Sequence, residues 1–115
     1  MENGLYLAQF AVPSMRGQGW ESAHGVAFIQ DGKVYGGDSG FWWQGDLKTE
    51  SDDTFSADLK VKVHTSGTQS ILGFFNEFEL KVSGKRNNEA WQAEGETSVA
   101  PGRPMQLNLR LLKAS

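Results

Sequence analysis

Thr54 to His64 alternates without a break. Phe55, Ala57, Leu59, Val61 and Val63 fall on one side, and Thr54, Ser56, Asp58, Lys60, Lys62 and His64 on the other. Successive side chains of an extended chain point to opposite faces, so this run specifies a strand with one dry face and one wet face. Wound as a helix, the same apolar residues would be split between opposite sides. A half-dry strand is not stable alone, and the rest of the chain must supply sheet partners for it.

The partners follow in order. Tyr6, Ala8, Phe10 and Val12 alternate with Leu5, Leu7, Gln9 and Ala11. The first set is the expected core face, which turns Leu5 and Leu7 outward as a covered edge or an oligomer contact. Ala23–Gln30 and Lys33–Tyr35 flank Asp31-Gly32, a strong hairpin signal because both turn residues tolerate positive φ. The second arm runs into Gly36-Gly37, which predicts a bulge or a sharp corner. Phe41 and Trp43 then share one face of a strand, and Trp42 and Gln44 the other. Large rings on both faces mean that protein covers both, or that one covers the core and the other a partner or ligand. Gly45–Asp53 is polar and acidic and reads as exposed.

Phe78, Leu80 and Val82 form a further dry face, as do Trp91, Ala93 and Gly95, and finally Met105, Leu107, Leu109 and Leu111. Asn87-Asn88 marks a turn, since Asn visits the left-handed region readily. Pro13–Gly19, Thr65–Ser70 and Val99–Pro104 read as loops, while Ile71–Phe75 is apolar without a clear period. No segment carries a sustained helical period. The chain therefore predicts about eight strands joined mostly by short turns, and 14 glycines suit so many turns. Small residues such as Ala8, Ala57, Ala93 and Gly95 are mixed with large ones on the dry faces, as in small tapered barrels. The expected fold is all-β, a small antiparallel up-and-down barrel, filled or holding one small ligand. A two-sheet sandwich is the competing architecture. With 115 residues, one domain spanning 1–115 is expected.

Charge and cysteine usage narrow the function classes. Cysteine is absent, which excludes disulfides, Cys-bound zinc and thiol nucleophiles. Net charge is −3 with no basic block, so nucleic acid is not an expected partner. No stretch approaches the length of a membrane helix and the start lacks a signal-peptide pattern, so a cytoplasmic location is expected.

The chemistry candidates are few. Gly37-Asp38-Ser39-Gly40 spells the letters around a serine-protease nucleophile, but Phe41-Trp42 follow where that family has Gly-Pro. A Gly-rich turn whose Asp38 and Ser39 bond local backbone is the simpler reading. His24 and His64 are the only imidazoles and lack metal-ligand spacing, so no metal and no cofactor is expected. Glu50, Asp52 and Asp53 lack the calcium-loop pattern; they read as an exposed acidic hairpin tip or a carboxylate pair, and three acids so close can also dock a basic partner patch. Tyr6, Phe10, Phe28, Tyr35, Trp42 and Trp43 either line a ligand cavity or fill the barrel.

The Gly-Gly-Asp-x-Gly stretch, its aromatic run and Gln44-Gly45 resemble the GrlR family of negative regulators of type III secretion. The likeness begins at Gly4-Leu5-Tyr6, continues through Gly25-Val26, Asp31-Gly32-Lys33 and Gly36-Gly37-Asp38, and covers the alternating strand ending at His64. It is looser down to Leu107, Leu109 and Leu111. The resemblance implies a lipocalin-like barrel that forms homodimers. It also implies a regulator that holds a transcriptional activator inactive by protein–protein contact through an acidic loop after the aromatic strand. That loop corresponds to Thr49-Glu50-Ser51-Asp52-Asp53, where three acids stand in place of four. The expected function is a non-enzymatic regulatory, protein-binding module. The alternative is a carrier of a small apolar ligand inside the barrel.

Overall fold

Half-dry strands are satisfied when each pairs on both edges and all turn their dry faces to one interior. The computed structural model describes residues 1–14, 19–68, 70 and 75–115. Its strands are β1 (Gly4–Pro13), β2 (Trp20–Gln30), β3 (Lys33–Gly37), β4 (Phe41–Ser51), β5 (Thr54–Val63), β6 (Glu77–Asn87), β7 (Ala90–Glu96) and β8 (Met105–Ala114). Each pairs antiparallel with the next, and β8 returns to β1, which closes the barrel. Closure removes the open edges through which sheets aggregate. No helix occurs among the described residues.

The interior is built from the dry faces seen in the sequence. Tyr6, Ala8 and Val12 of β1 meet Trp43 of β4, Phe55, Ala57 and Val61 of β5, Leu80 and Val82 of β6, Trp91 of β7 and Leu109 of β8 in one buried cluster. The aromatic rings interlock at right angles: Phe10 against Trp43 at 5.9 Å and Phe55 against Trp91 at 5.6 Å, within the range favoured by ring quadrupoles. Outside, β5 pairs with β6 through cross-strand charges, Lys62 with Glu77 and Lys81 with Asp58. Exposed pairs of this kind add little stability and mainly keep that side wet.

The two ends differ. The hairpins at Asp31-Gly32, at Asp52-Asp53 and at Asn88-Glu89 share one end with both termini. There Asn3 bonds Asp31, and the Ser115 N–H donates to the Asn3 carbonyl at 3.1 Å. The other end carries the Asp38–Gly40 turn and the longer connections around 64–76 and 97–104. The first turn has φ values of 50° at Asp31 and 79° at Gly32, the primed geometry that the Asp-Gly pair predicts. Asn88, at φ 59°, anchors the Asn88-Glu89 turn, one residue later than the expected Asn87-Asn88 because Asn87 still pairs with Ala90 at the end of β6.

Four expectations need correction. Gly36-Gly37 makes no bulge: pairing to β2 and β4 runs through both residues without a shift. These glycines provide room. A Cβ at Gly36 would stand 2.0 Å from the Val26 carbonyl and 2.4 Å from Trp43 Nε1, and one at Gly25 would stand 2.8 Å from the same indole. The bulges lie elsewhere, at Leu5/Tyr6 against β8 and at Thr49/Ser51 against β5. Second, the acidic turn expected to hold Glu50, Asp52 and Asp53 starts only at Asp52. β4 continues to Ser51 because Leu47 turns inward while Asp46, Lys48 and Glu50 turn to water. Third, β1 includes Pro13 and β2 begins at Trp20, which pairs with it. Fourth, β5 ends at Val63, so His64 lies in the following bend. The apolar run at Ile71–Phe75 falls outside the described residues except for Phe75, which packs against the core.

Candidate functional site

The strand parity that fills the interior leaves a second apolar surface outside. Leu5 and Leu7 of β1, Val26 and Phe28 of β2, Tyr35 of β3 and Trp42 of β4 all point outward. The register joins them in two rows, Leu5–Phe28–Tyr35 and Leu7–Val26–Gly37–Trp42. Leu112 is the extra residue at the β8 bulge beside Leu5. Phe28 is 40% exposed, Tyr35 51% and Leu112 47%. Trp42 at the margin carries Lys62 Nζ over its ring at 5.7 Å. The remaining rim is polar: Arg110 and Lys113 on β8, Gln44 on β4, and Lys33, which is paired with Asp46 on the turn side. That partnership raises the Lys33 pKa, the Asp46 carboxylate holding the ammonium charged.

This surface divides the six aromatics expected of a cavity. Tyr6, Phe10 and Trp43 face the interior; Phe28, Tyr35 and Trp42 do not, and lie outside beside Leu5 and Leu7. Val26 and Leu112 were missed in the sequence. Val26-Ala27-Phe28-Ile29 is apolar at every position and so carries no face information. Leu112 follows the outward parity of Gln106, Asn108 and Arg110, a signal the alternation of β8 carries, and the bulge turns Lys113 to the same side against Leu5.

Glu50, Asp52 and Asp53 sit at the β4–β5 hairpin, all exposed. The Ser56 hydroxyl donates to Glu50 Oε1 at 2.8 Å, and the turn is braced by Ser51 Oγ with Thr54 Oγ1 at 2.7 Å. The Asp53 carbonyl accepts from Arg86 N at 2.8 Å, tying the tip to β6. The carboxylates of Asp52 and Asp53 face solvent at the barrel end away from the Asp38 turn.

Inside the barrel is a cavity of about 230 Å³. Alanines at 8, 23, 27 and 57 leave the space, and Phe10, Trp43, Phe55 and Leu109 are among the larger walls. Its polar lining is confined to the longer-loop end, at Asp38, Ser39, Thr68 and Ser70. Tyr6 lies toward the opposite end, 1% exposed, with its hydroxyl donating to the Glu2 carbonyl. Burial first, and then the Glu2 charge, push the Tyr6 pKa up, with Arg86 opposing.

The Asp38 turn has the local-bonding form read from its sequence. Asp38 Oδ1 accepts from Gly40 N at 2.9 Å and from Phe41 N at 2.8 Å. His64 is brought to this turn, which spacing did not reveal, and its Nε2 donates to the Asp38 carbonyl at 2.9 Å. A carbonyl only accepts, so Nε2 carries a proton, and Nδ1 is hydrogen-bonded to Thr65 Oγ1 at 2.8 Å. Both ring nitrogens are thus committed to partners other than Ser39, which is exposed. His24 stands on the outer face of β2 beside Gln9. No cluster of three His, Asp or Glu side chains suited to a metal occurs among the described residues.

No protein-family model matches the chain, and no curated protein shows significant similarity to it.

Proposed function

We propose that this chain is a non-enzymatic regulatory, protein-binding module that works as a homodimer. The outer apolar face of β1–β4 joins two copies, and the Glu50, Asp52, Asp53 tip docks a basic patch on a second protein. The observation that carries the reading is the contiguous outer surface of Leu5, Leu7, Val26, Phe28, Tyr35, Trp42 and Leu112, from which the exposed Trp20 at the far end of β2 stands apart. Contiguous apolar patches on folded domains mark contact sites, and Tyr and Trp are enriched in the buried centres of interfaces.

The occupant is a second copy of the chain. The face is a run of consecutive strands with no charge at its centre, so a twofold axis can lay the Phe28–Tyr35 row on its own image without burying an unpaired ion. Seven apolar side chains and their rim cover the order of several hundred Å² per copy, near what a standard interface takes from each partner. The tip lies at one end of the barrel, while the apolar face lies on its side, so a dimer leaves both tips free. This arrangement agrees with the dimeric regulator implied by the resemblance to the GrlR family, and a transcriptional activator is the partner we propose on that ground.

Phe28→Lys tests the dimer. Its side chain is outside the core, so the barrel is expected to stay folded. The variant is expected to sediment as a monomer at concentrations where the parent chain sediments as a dimer. An unchanged dimer would place the interface elsewhere.

A further inference from the structure

We propose that the barrel interior is a binding site for one small uncharged molecule of about nine non-hydrogen atoms, an apolar body with a hydroxyl head. This reading concerns the inside of the barrel and does not depend on what covers its outer face.

Size sets the first limit. The cavity measures about 230 Å³. A dry apolar cavity of ~150 Å³ accepts benzene, with its six heavy atoms, so the same packing gives room for about nine here. A long-chain lipid does not fit in that volume. The space is created by Ala8, Ala23, Ala27 and Ala57 on inward positions where neighbouring strands carry Phe, Trp and Leu. A barrel selected only for a filled core would gain stability from larger residues at those positions, since voids forfeit packing contacts.

Chemistry sets the second limit. Among the described residues lining the cavity, Asp38 is the only ionisable one, and no Lys, Arg or His joins it. A carboxylate or phosphate head would therefore lose its hydration, find no cation and meet a like charge. The other polar lining groups are the hydroxyls of Ser39, Thr68 and Ser70, all near Asp38 at the same end. A hydroxyl head can donate to a carboxylate and exchange hydrogen bonds with hydroxyls, while its apolar body lies among the Ala, Phe and Trp walls. Tyr6, toward the opposite end of the barrel, is not part of the lining and its hydroxyl is bonded to the Glu2 carbonyl, so the polar head belongs at the Asp38 end.

Isothermal titration calorimetry on the full chain tests this with three probes: 1-octanol, octanoate and 1-hexadecanol. The site requires saturable binding of 1-octanol at one per chain, with octanoate and hexadecanol each at least tenfold weaker. No saturable binding of octanol would overturn the site. Equal affinity for octanoate would overturn the uncharged head, and equal affinity for hexadecanol would overturn the size limit. Asp38→Asn keeps an oxygen for the Gly40 and Phe41 N–H groups and removes the charge. It is expected to narrow the octanol-to-octanoate ratio at least threefold, and an unchanged ratio would contradict the role given to Asp38. Ala57→Val fills part of the cavity and is expected to weaken octanol at least fivefold. A folded variant with unchanged affinity would put the bound octanol on the outer face and overturn the site. Ala27→Val serves the same purpose should Ala57→Val fail to fold. Because Phe28→Lys leaves the cavity untouched, it is expected to bind octanol as the parent does even as a monomer, so loss of one reading is separable from loss of the other.

Discussion

Single positions explain how such unlike residues share one short stretch. Gly36 faces inward, and only the absence of a side chain lets the Trp43 indole lie against the β3 backbone. Gly36→Ala places a carbon against the Val26 carbonyl and the indole, and overpacking of this kind costs ~1–3 kcal/mol or more. A lowered urea midpoint with unchanged slope is the expected result, and an unperturbed midpoint would show that the strand yields freely. Tyr6 gives a pH signature. Its folded pKa is raised, so its stabilising contribution is complete below the ordinary tyrosine value near 10 and is lost as pH rises through the folded value. Tyr6→Phe is expected to cost ~1 kcal/mol near neutrality through the lost hydrogen bond to Glu2. It should also flatten the decline in stability above about pH 10, as thermal melts in a pH series would show. Residue-level roles were partly legible. Parity alone separates Trp42 from Trp43. It does not show that Gly36 serves packing, because the sequence shows the glycine and not the ring across the strand.

Among the elements, β4 shows best what pattern reading gives and withholds. Its start, Phe41-Trp42-Trp43, reads plainly as strand, whereas its continuation to Ser51 is hidden because the inward parity carries only Gly45 and Leu47 before the exposed Thr49. The hydrophobic contrast there is too low to signal a period, and pairing with the strongly patterned β5 imposes the extended form. The same low contrast hides the Trp20-Glu21-Ser22 start of β2. The longer β4 bears on the proposed docking tip, since it holds Glu50 on a strand and leaves only Asp52 and Asp53 on the turn. Changing Glu50, Asp52 and Asp53 to Gln, Asn and Asn is expected to shift stability by no more than about 0.5 kcal/mol, as the groups are exposed. The same change is expected to weaken a partner complex at least tenfold at low salt and to flatten its salt dependence. The control removes equal charge elsewhere, with Gln at Glu79, Glu94 and Glu96, and should leave the complex intact. Equal loss in both variants would reduce the tip to a contribution from net charge.

For the molecule as a whole, closure is the deciding fact. Eight half-dry strands with hairpin connections fit either a sandwich or a barrel, and the β1–β8 pairing settles the choice. That pairing joins the two ends of the chain, so no local pattern announces it. Closure also fixes the two surfaces on which function is proposed: an interior apolar space with its polar lining at the longer-loop end, and an outer apolar face on β1–β4. The outward Leu5 and Leu7 were legible from alternation, while their union with Val26, Phe28, Tyr35, Trp42 and Leu112 required the register. The most direct test of the homodimer is native mass spectrometry of gently purified parent protein across a dilution series. The expected result is a dominant species at twice the 12.7 kDa chain mass that dissociates only on dilution or with Phe28→Lys. A parent chain that remains a 12.7 kDa monomer at every concentration would contradict it.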